Sequence, residues 1–555
     1  MLKLSPLCLA SLLLFQLPVS AVQAAPVSAS VDRALAARID AEVATHYKPG
    51  EPGATLIVVK DGKTLLRKAY GMADVTGKVA MRPDASLRLG SITKQFTAVA
   101  IMMLADEGKL AMSDPITKFL PDYPTQGKLI TVEHLLTHTS GIVSYTSKPG
   151  FGELMQRDMT VPQVIDFFKN DPVEFEPGSK YAYNNSGYFL LGAIIEKLSS
   201  QSYAKFVERR LFVPLGMTHT AYEGSERALT LRALGHQKTP EGFGPSQPLS
   251  MTQPYAAGAL VSTVDDLAKW DAAITAGKLL KPASWKQAFT AYTLTDGKPI
   301  GYGYGWDVGK LRGDTAIAHG GGINGFSTYA VRLPRQRVYV ALLTNSDSGR
   351  TPPSMIARKA AAVAIGNPFL QHQAIALGSA GIDVFAGTYQ IDAKTTRVVR
   401  REGNRLLMQR NSRPPVELFA YAPDRFFLKE STDTFTFGRD DKGDVDRVTL
   451  HNDGVDSVNK RTGNAPAARV GVTLDGAALQ AFVGRYEVMP GFVLELTREG
   501  DKLFSQATGE PKRLLMPISG SAFYLKEYDA EIRFDKGNSE MTLLEGGQTL
   551  AGKRM

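Results

Sequence analysis

The chain of 555 residues has one cysteine, Cys8, and no other thiol. Past that residue, disulfides, thiol catalysis and cysteine-ligated metal are all excluded. No stretch beyond the first residues is long and apolar enough for a transmembrane helix. No Gly-Lys-Ser/Thr follows a glycine-rich segment, so phosphate cradling is disfavoured. No Lys/Arg block with interleaved aromatics points to a nucleic-acid groove, so no nucleic-acid partner is expected.

What is present reads as globular. The composition is 43% hydrophobic and 21% charged, with 52 Gly and 31 Pro. That length predicts two to four domains with full cores. Lys3, the apolar run Leu9 to Leu17 and the small residues Ala21-Val22-Gln23-Ala24 read as a secretory signal over residues 1–24. The run is too short to anchor in a bilayer, so no stable membrane insertion is expected after cleavage. Cys8 precedes the run, whereas a lipoprotein needs its cysteine at the cleavage site. A large exported protein without disulfides suits a bacterial periplasm. The formal charge of +9 drops to about +8 without the signal and reads as a solvated basic surface.

From about residue 30 to 365, strand-like and helix-like segments alternate. Ala54 to Lys60 and Thr64 to Ala69 flank the turn Asp61-Gly62 and predict a hairpin. Ser91 to Glu107 repeats Phe96, Val99, Ala100, Met103 and Leu104 at helical spacing, with Gly108 as the stop. Val132 to Leu136, Val161 to Phe168 and Tyr188 to Leu198 predict further helices. Phe326 to Leu333 and Val338 to Thr344 predict paired strands. Strands at both ends with helices between predict an α+β domain over residues 26–366, with one antiparallel sheet and helical layers.

Beyond about Asn367, short strand-like segments dominate and an internal repeat emerges. Phe385-Ala386-Gly387-Thr388-Tyr389 recurs as Phe482-Val483-Gly484-Arg485-Tyr486. Glu402-Gly403-Asn404-Arg405-Leu406 recurs as Glu499-Gly500-Asp501-Lys502-Leu503, and Leu428-Lys429-Glu430 as Leu525-Lys526-Glu527. Each pair lies 97 residues apart. The repeat predicts two homologous antiparallel β-barrels, over 380–460 and 475–555, because closure removes edge strands. Arg461 to Arg469 reads as the linker between them. The barrels are either structural or oligomerising, or one of them shapes the mouth of an active site.

Three segments spell Ser-x-x-Lys: Ser91–Lys94, Ser202–Lys205 and Ser457–Lys460. A lysine one helical turn after a serine can help deprotonate it. Ser91 opens a strong amphipathic helix, where the dipole favours developing negative charge. Ser202 lies just inside a polar helix. Ser457 lies between a strand and a linker, with no helix to align Lys460. Two further segments accompany Ser91. Tyr181-Ala182-Tyr183-Asn184-Asn185-Ser186-Gly187-Tyr188 can present a phenol and an amide from a loop. Ala318-His319-Gly320-Gly321-Gly322-Ile323-Asn324-Gly325-Phe326 places a histidine and glycines beside a strand, where backbone N–H groups can approach a ligand.

Together these segments resemble the serine β-lactamase and penicillin-recognising superfamily, in its class C-like branch with D-aminopeptidases and esterases. Its motifs Ser-x-x-Lys, Tyr-x-Asn and His-x-Gly match Ser91–Lys94, Tyr183–Asn185 and His319–Gly321, in the family's order. Leu135-Leu136-Thr137-His138-Thr139-Ser140-Gly141 and Gly258 to Leu267 also look familial. The C-terminal repeats resemble the lipocalin-like barrels of D-aminopeptidases. The resemblance implies a β-lactamase/transpeptidase-like fold and an acyl-enzyme on Ser91, with Lys94 and Tyr183 sharing the proton work. Burial and the Lys94 ammonium are expected to make Tyr183 a phenolate-like base. Asn185 would orient the substrate amide or Lys94. His319 and Gly321 would line the substrate site, and the N–H groups of Ser91 and Gly322 would hold the oxyanion. No metal or organic cofactor is needed.

His319 and Gly320 stand where β-lactamases and DD-carboxypeptidases carry Lys-Thr, so recognition of a terminal carboxylate is weakened. The expected function is cleavage of D-amino-acid peptides or amides. An esterase or weak β-lactamase of the same fold, and a non-catalytic cell-wall or penicillin-binding protein, are the alternatives. The partner in every enzymatic case is a small peptide, amide or ester. An α/β-hydrolase is poorly supported, since Ser91 lacks the glycines of Gly-x-Ser-x-Gly. His134 and His138 share i, i+4 spacing, but Leu135 stands where a zinc peptidase needs Glu, so packing or a helix surface is expected for both.

Overall fold

The computed structural model describes residues 27–225, 229, 231–392, 395–411, 413–429, 431–465, 471–489, 492–508, 511–525, 530–535, 537–545 and 548–555. The expected signal, residues 1–24, lies outside them, as do Glu430, Lys526 and Glu527 of the third repeat block and part of the linker, 466–469.

A six-stranded antiparallel sheet organises the first domain. Its order is Asp307–Leu311, Asp314–Ile323, Phe326–Leu333, Val338–Thr344, Ala54–Lys60 and Lys63–Tyr70. Ala54–Lys60 is apolar without alternation because both of its faces are covered. Leu56 and Val58 pack with the helices Val27–Ala44 and Pro353–Ala364, while Ile57 points into the larger core on the other face. The hairpin after Lys60 turns on Asp61 and Gly62, at φ 53° and 75°, the left-handed pair that a two-residue turn between twisted strands requires.

The larger core is built around two helices. Thr93–Asp106 is buried nearly all round, and Asn185–Ser199 packs beside it. Asn184 caps the second helix, its side-chain oxygen accepting the Gly187 N–H at 2.8 Å. That cap starts the helix at Asn185, three residues before the spacing of its apolar residues predicts.

Two closed eight-stranded barrels follow, Gly387 to Gly463 and Gly484 to Arg554. The first ends on the strand Val455–Gly463, so Arg461 to Gly463 belong to the barrel and not to a linker. The repeated Phe-x-Gly-x-Tyr block has a physical reason. Tyr389 donates its hydroxyl to the Phe385 carbonyl at 2.8 Å, and Tyr486 to that of Phe482 at 3.2 Å. The intervening glycine makes room for an arginine of the last strand: a Cβ on Gly387 would meet Arg461 Nε at 2.6 Å, and one on Gly484 would meet Arg554 Nε at 2.9 Å.

The first barrel docks on the sheet's hairpin turn at Arg312-Gly313. Gly313 donates its N–H to the Asp453 carbonyl at 2.8 Å, and Arg358 pairs with the Asp453 carboxylate. A Cβ on Gly454 would lie 2.7 Å from Gly313 N, so glycine there permits the approach. This contact lies about 20 Å along the strand from His319, at 3.3 Å per residue.

Candidate active site

Ser91 does not begin the α-helix itself. It sits in the 3-10 turn Gly90–Ile92 that leads into Thr93–Asp106. Lys94 stands three residues on, in the first turn of that helix and on the same face, with its Nζ 3.0 Å from Ser91 Oγ. Lys94 is fully buried, 0% exposed. Its Nζ also donates to Asn185 Oδ1 at 2.8 Å and to the Ala257 carbonyl at 3.0 Å. Burial pushes the Lys94 amine well below its ordinary range. A neutral amine has two N–H donors and one lone pair. In that form, which burial favours, Asn185 and Ala257 take the donors and the lone pair is left for the Ser91 hydroxyl; as the ammonium, Lys94 donates to Ser91 Oγ instead.

The other serine candidates have different roles. Ser202 is the N-cap of the helix Tyr203–Val207 and accepts the Lys205 N–H at 3.3 Å, so it precedes the helix. Ser457 lies within the strand Val455–Gly463.

Asn185 has both ends of its amide engaged. Its Oδ1 faces Lys94, and its Nδ2 donates to Thr146 Oγ1 at 3.0 Å. Of its two expected roles, the free structure shows contact with Lys94. The carbonyl of Ala257 is aimed by a strained turn. Tyr255, buried, holds φ at 40°.

Tyr183 hydrogen-bonds Ser91, and its ring lies 4.9 Å from Lys94 Nζ. Burial does not make it a phenolate. Desolvation penalises the anion and pushes the phenol up, against the smaller pull of the Ser91 hydrogen bond. Burial also disfavours the Lys94 ammonium, the one nearby charge that would reverse this. The Tyr183 side chain is 41% exposed, so water softens the upward push relative to the enclosed Tyr302.

His319 is 3% exposed and has both ring nitrogens engaged. Nδ1 donates to the Gly320 carbonyl, and Nε2 accepts from the Tyr302 hydroxyl at 2.8 Å. Burial first, then the nearby Lys94, lowers its pKa to about 3, so it is neutral. In this structure neither ring nitrogen is left over for a ligand. Gly321 is needed for packing: a Cβ there would meet the Leu89 carbonyl oxygen at 2.0 Å. Gly322 comes close to the turn before the serine, since a Cβ on Gly90 would lie 3.0 Å from Gly322 N.

The sequence predicted packing or a helix surface for His138 and missed its place at the site. It is 1% exposed, in left-handed backbone at φ 59°. Its ring stands 4.2 Å from that of Tyr183, centroid to centroid. Its Nδ1 accepts the Asn184 N–H at 3.0 Å, and its carbonyl accepts the Ala182 N–H at 2.9 Å. Nε2 is buried without a hydrogen-bond partner. Burial, Lys94 and His319 together push the imidazole well below its usual range. The signal in the chain was its place in the segment Leu135 to Gly141, which resembles the family. His134 instead closes a capping box, its Nδ1 accepting the Thr131 N–H at 3.2 Å.

A cavity of about 220 Å³ opens beside Ser91, lined by Gly90, Tyr145, Asn185, Gln253, Gly322 and Asn324 among others. Among the described residues that line it, none is Lys, Arg, Asp or Glu.

A family model described as Beta-lactamase matches residues 31–364. Penicillin-binding protein 4* of Bacillus subtilis (strain 168) is 29% identical over 415 residues, 70% of this chain and 90% of that protein. Among solved structures, the octameric penicillin-binding protein homologue from Pyrococcus abyssi is similar at 27% identity and a TM-score of 0.55, covering 78% of this chain and 98% of its own. A D-stereospecific amidohydrolase from Streptomyces sp. is similar at 28% identity and a TM-score of 0.50, covering 59% and 98%.

Proposed function

This chain belongs to the beta-lactamase family and is a serine hydrolase, and within that family we propose that it cleaves amide bonds of D-amino-acid peptides or amides through an acyl-enzyme on Ser91. The uncharged cavity beside the buried Ser91–Lys94 pair carries this reading. A site for a terminal carboxylate needs a fixed cation, and the described residues of this lining supply none. Neutral amides fit it, with the side-chain oxygens of Gln253 or Asn324 as acceptors for an amino group. The likeness to the D-stereospecific amidohydrolase supports the D-amide class.

In the proposed mechanism Ser91 Oγ attacks the carbonyl carbon and its proton passes to the neutral Lys94 Nζ. Asn185 Oδ1 and the Ala257 carbonyl then hold the ammonium. The backbone N–H groups of Ser91 and Gly322 hold the oxyanion. Tyr183, a neutral phenol beside Ser91, relays the Lys94 proton to the departing nitrogen, and the C–N bond breaks. Water attacks the resulting ester, its proton returns through the same pair, and the acid leaves with Ser91 restored. Export is proposed too, on the strength of Lys3, Leu9 to Leu17 and the small residues before Ala25.

The test is hydrolysis of D- and L-alanine p-nitroanilides beside p-nitrophenyl esters and nitrocefin, with a fluorophosphonate probe on wild type and Ser91→Ala. The expected result is D-anilide turnover and labelling, both lost in Ser91→Ala. Fast ester cleavage without D-anilide cleavage replaces the amidase by an esterase. Neither labelling nor turnover leaves a non-catalytic binding protein.

A further inference from the structure

Two segments far apart in the chain supply the proposed oxyanion donors. The Ser91 N–H comes from the turn Gly90–Ile92, and the Gly322 N–H from the strand Asp314–Ile323. The two segments nearly touch: a Cβ on Gly90 would lie 3.0 Å from Gly322 N. Two such donors stabilise a developing oxyanion only when both are aimed at one point. The backbone on each side must therefore be fixed against the other.

Thr328 reaches both sides. It lies on the neighbouring strand Phe326–Leu333, opposite Gly321, and is buried. Its hydroxyl donates to the Leu89 carbonyl at 2.8 Å, and the Gly321 carbonyl stands 3.4 Å from the same oxygen. One hydroxyl proton serves one carbonyl well, and the shorter distance assigns it to Leu89. The Gly321 carbonyl belongs to the peptide that carries the Gly322 N–H. The Leu89 carbonyl belongs to the peptide just before the one that carries the Ser91 N–H. That next peptide is tied at its own carbonyl, where Gly90 accepts the Thr93 N–H. Between the two ties Gly90 turns at φ 54°, in left-handed backbone. Gly321 leaves the room for this contact: a Cβ there would stand 2.3 Å from Thr328 Oγ1.

We propose that Thr328 is a positioning residue for the oxyanion site, its hydroxyl fixing the serine turn against the strand that carries Gly322. This rests on the acyl-enzyme at Ser91 proposed above. Thr328 touches no reacting atom and acts through the two peptides it joins. Valine has nearly the same shape and lacks the donor. It leaves the Leu89 carbonyl without its hydrogen bond, and the turn then gains freedom to move relative to Gly322. Serine keeps the donor and loses a methyl.

The full-length protein and its Thr328→Val, Thr328→Ala and Thr328→Ser variants are assayed on the p-nitroanilide or p-nitrophenyl ester that wild type turns over. Folded protein is verified by thermal melts, and active sites are counted by exhaustive fluorophosphonate labelling. Per active site, Thr328→Val and Thr328→Ala lower kcat about tenfold or more, with KM within about twofold, because a misaimed donor costs transition-state and not ground-state binding. Phenylboronate, whose adduct on Ser91 places an oxygen at the oxyanion position, binds these variants more weakly by about the same factor as kcat/KM falls. Thr328→Ser keeps kcat and boronate affinity within about threefold of wild type. Wild-type kcat in folded Thr328→Val or Thr328→Ala, or a loss in folded Thr328→Ser as large as about tenfold, overturns the role of the hydroxyl and leaves the acyl-enzyme reading standing. A fall in kcat with unchanged boronate affinity overturns it too. A wild type with neither labelling nor turnover overturns the acyl-enzyme reading and this role together.

Discussion

The imidazole of His138 lies 4.2 Å from the ring of Tyr183 and its Nδ1 accepts the N–H of Asn184, so one side chain holds the loop between the phenol and the Asn185 amide. His138→Asn keeps an acceptor near Nδ1 and tolerates the left-handed backbone, but removes the ring. It is expected to fold with stability within about 1 kcal/mol of wild type and to lower kcat about tenfold. His138→Ala also leaves the buried Asn184 N–H unsatisfied and costs a further 1–3 kcal/mol or so. Denaturant melts and kcat of both variants check this. Equal kcat in wild type and His138→Asn would reduce the ring to packing.

Lys94 predicts the pH profile. Its folded pKa is depressed far below its unfolded value by burial, so the native amine is neutral over a window in which the unfolded chain is protonated. Stability tied to Lys94 is therefore full above about pH 10.4, the unfolded value, and is lost as pH falls through the folded pKa. Turnover needs the neutral amine, so the rising limb of kcat is expected well below pH 10. Lys94→Met should lower kcat by about 10²–10⁴ and abolish that limb. An unchanged rising limb in the variant would assign it to another group.

His319 predicts acid lability. Its folded pKa of about 3 lies below the ordinary value of 6.5. The unfolded state binds the extra proton between those values, so this contribution is full above pH 6.5 and is lost as pH falls towards 3. The loss is up to roughly 5 kcal/mol at 1.4 kcal/mol per unit. His319→Gln should flatten the stability curve between pH 3 and 6.5, measured by urea unfolding. KM in wild type should show no histidine titration between pH 5 and 8.

Gly321→Ala places a methyl against the Leu89 carbonyl, with the Cβ 2.0 Å from it. Strand and serine turn must separate. A cost of about 2–4 kcal/mol in stability is expected, together with a fall in kcat. Gly322→Ala meets nothing within 4 Å and should keep wild-type stability, which thermal unfolding of the pair decides.

Local chemistry made much of this protein legible from the chain. Asp61-Gly62 forces a hairpin by backbone sterics, and the apolar spacing after Ser91 forces a helix that carries Lys94 to the serine. The 97-residue repeat reports two barrels because each copy needs the same tyrosine latch and the same glycine under an arginine. Chain-local signals could not place Ala257, His138 or Thr146 around Lys94, Tyr183 and Asn185, because those contacts join segments separated by dozens of residues or more. They also misread Tyr183, since the sign of a pKa shift depends on which groups enclose the oxygen. The chain determined which groups are present and what local structure carries them. Tertiary packing decided their protonation, their partners and the space left between them, because desolvation and excluded volume are properties of an enclosure and not of a segment.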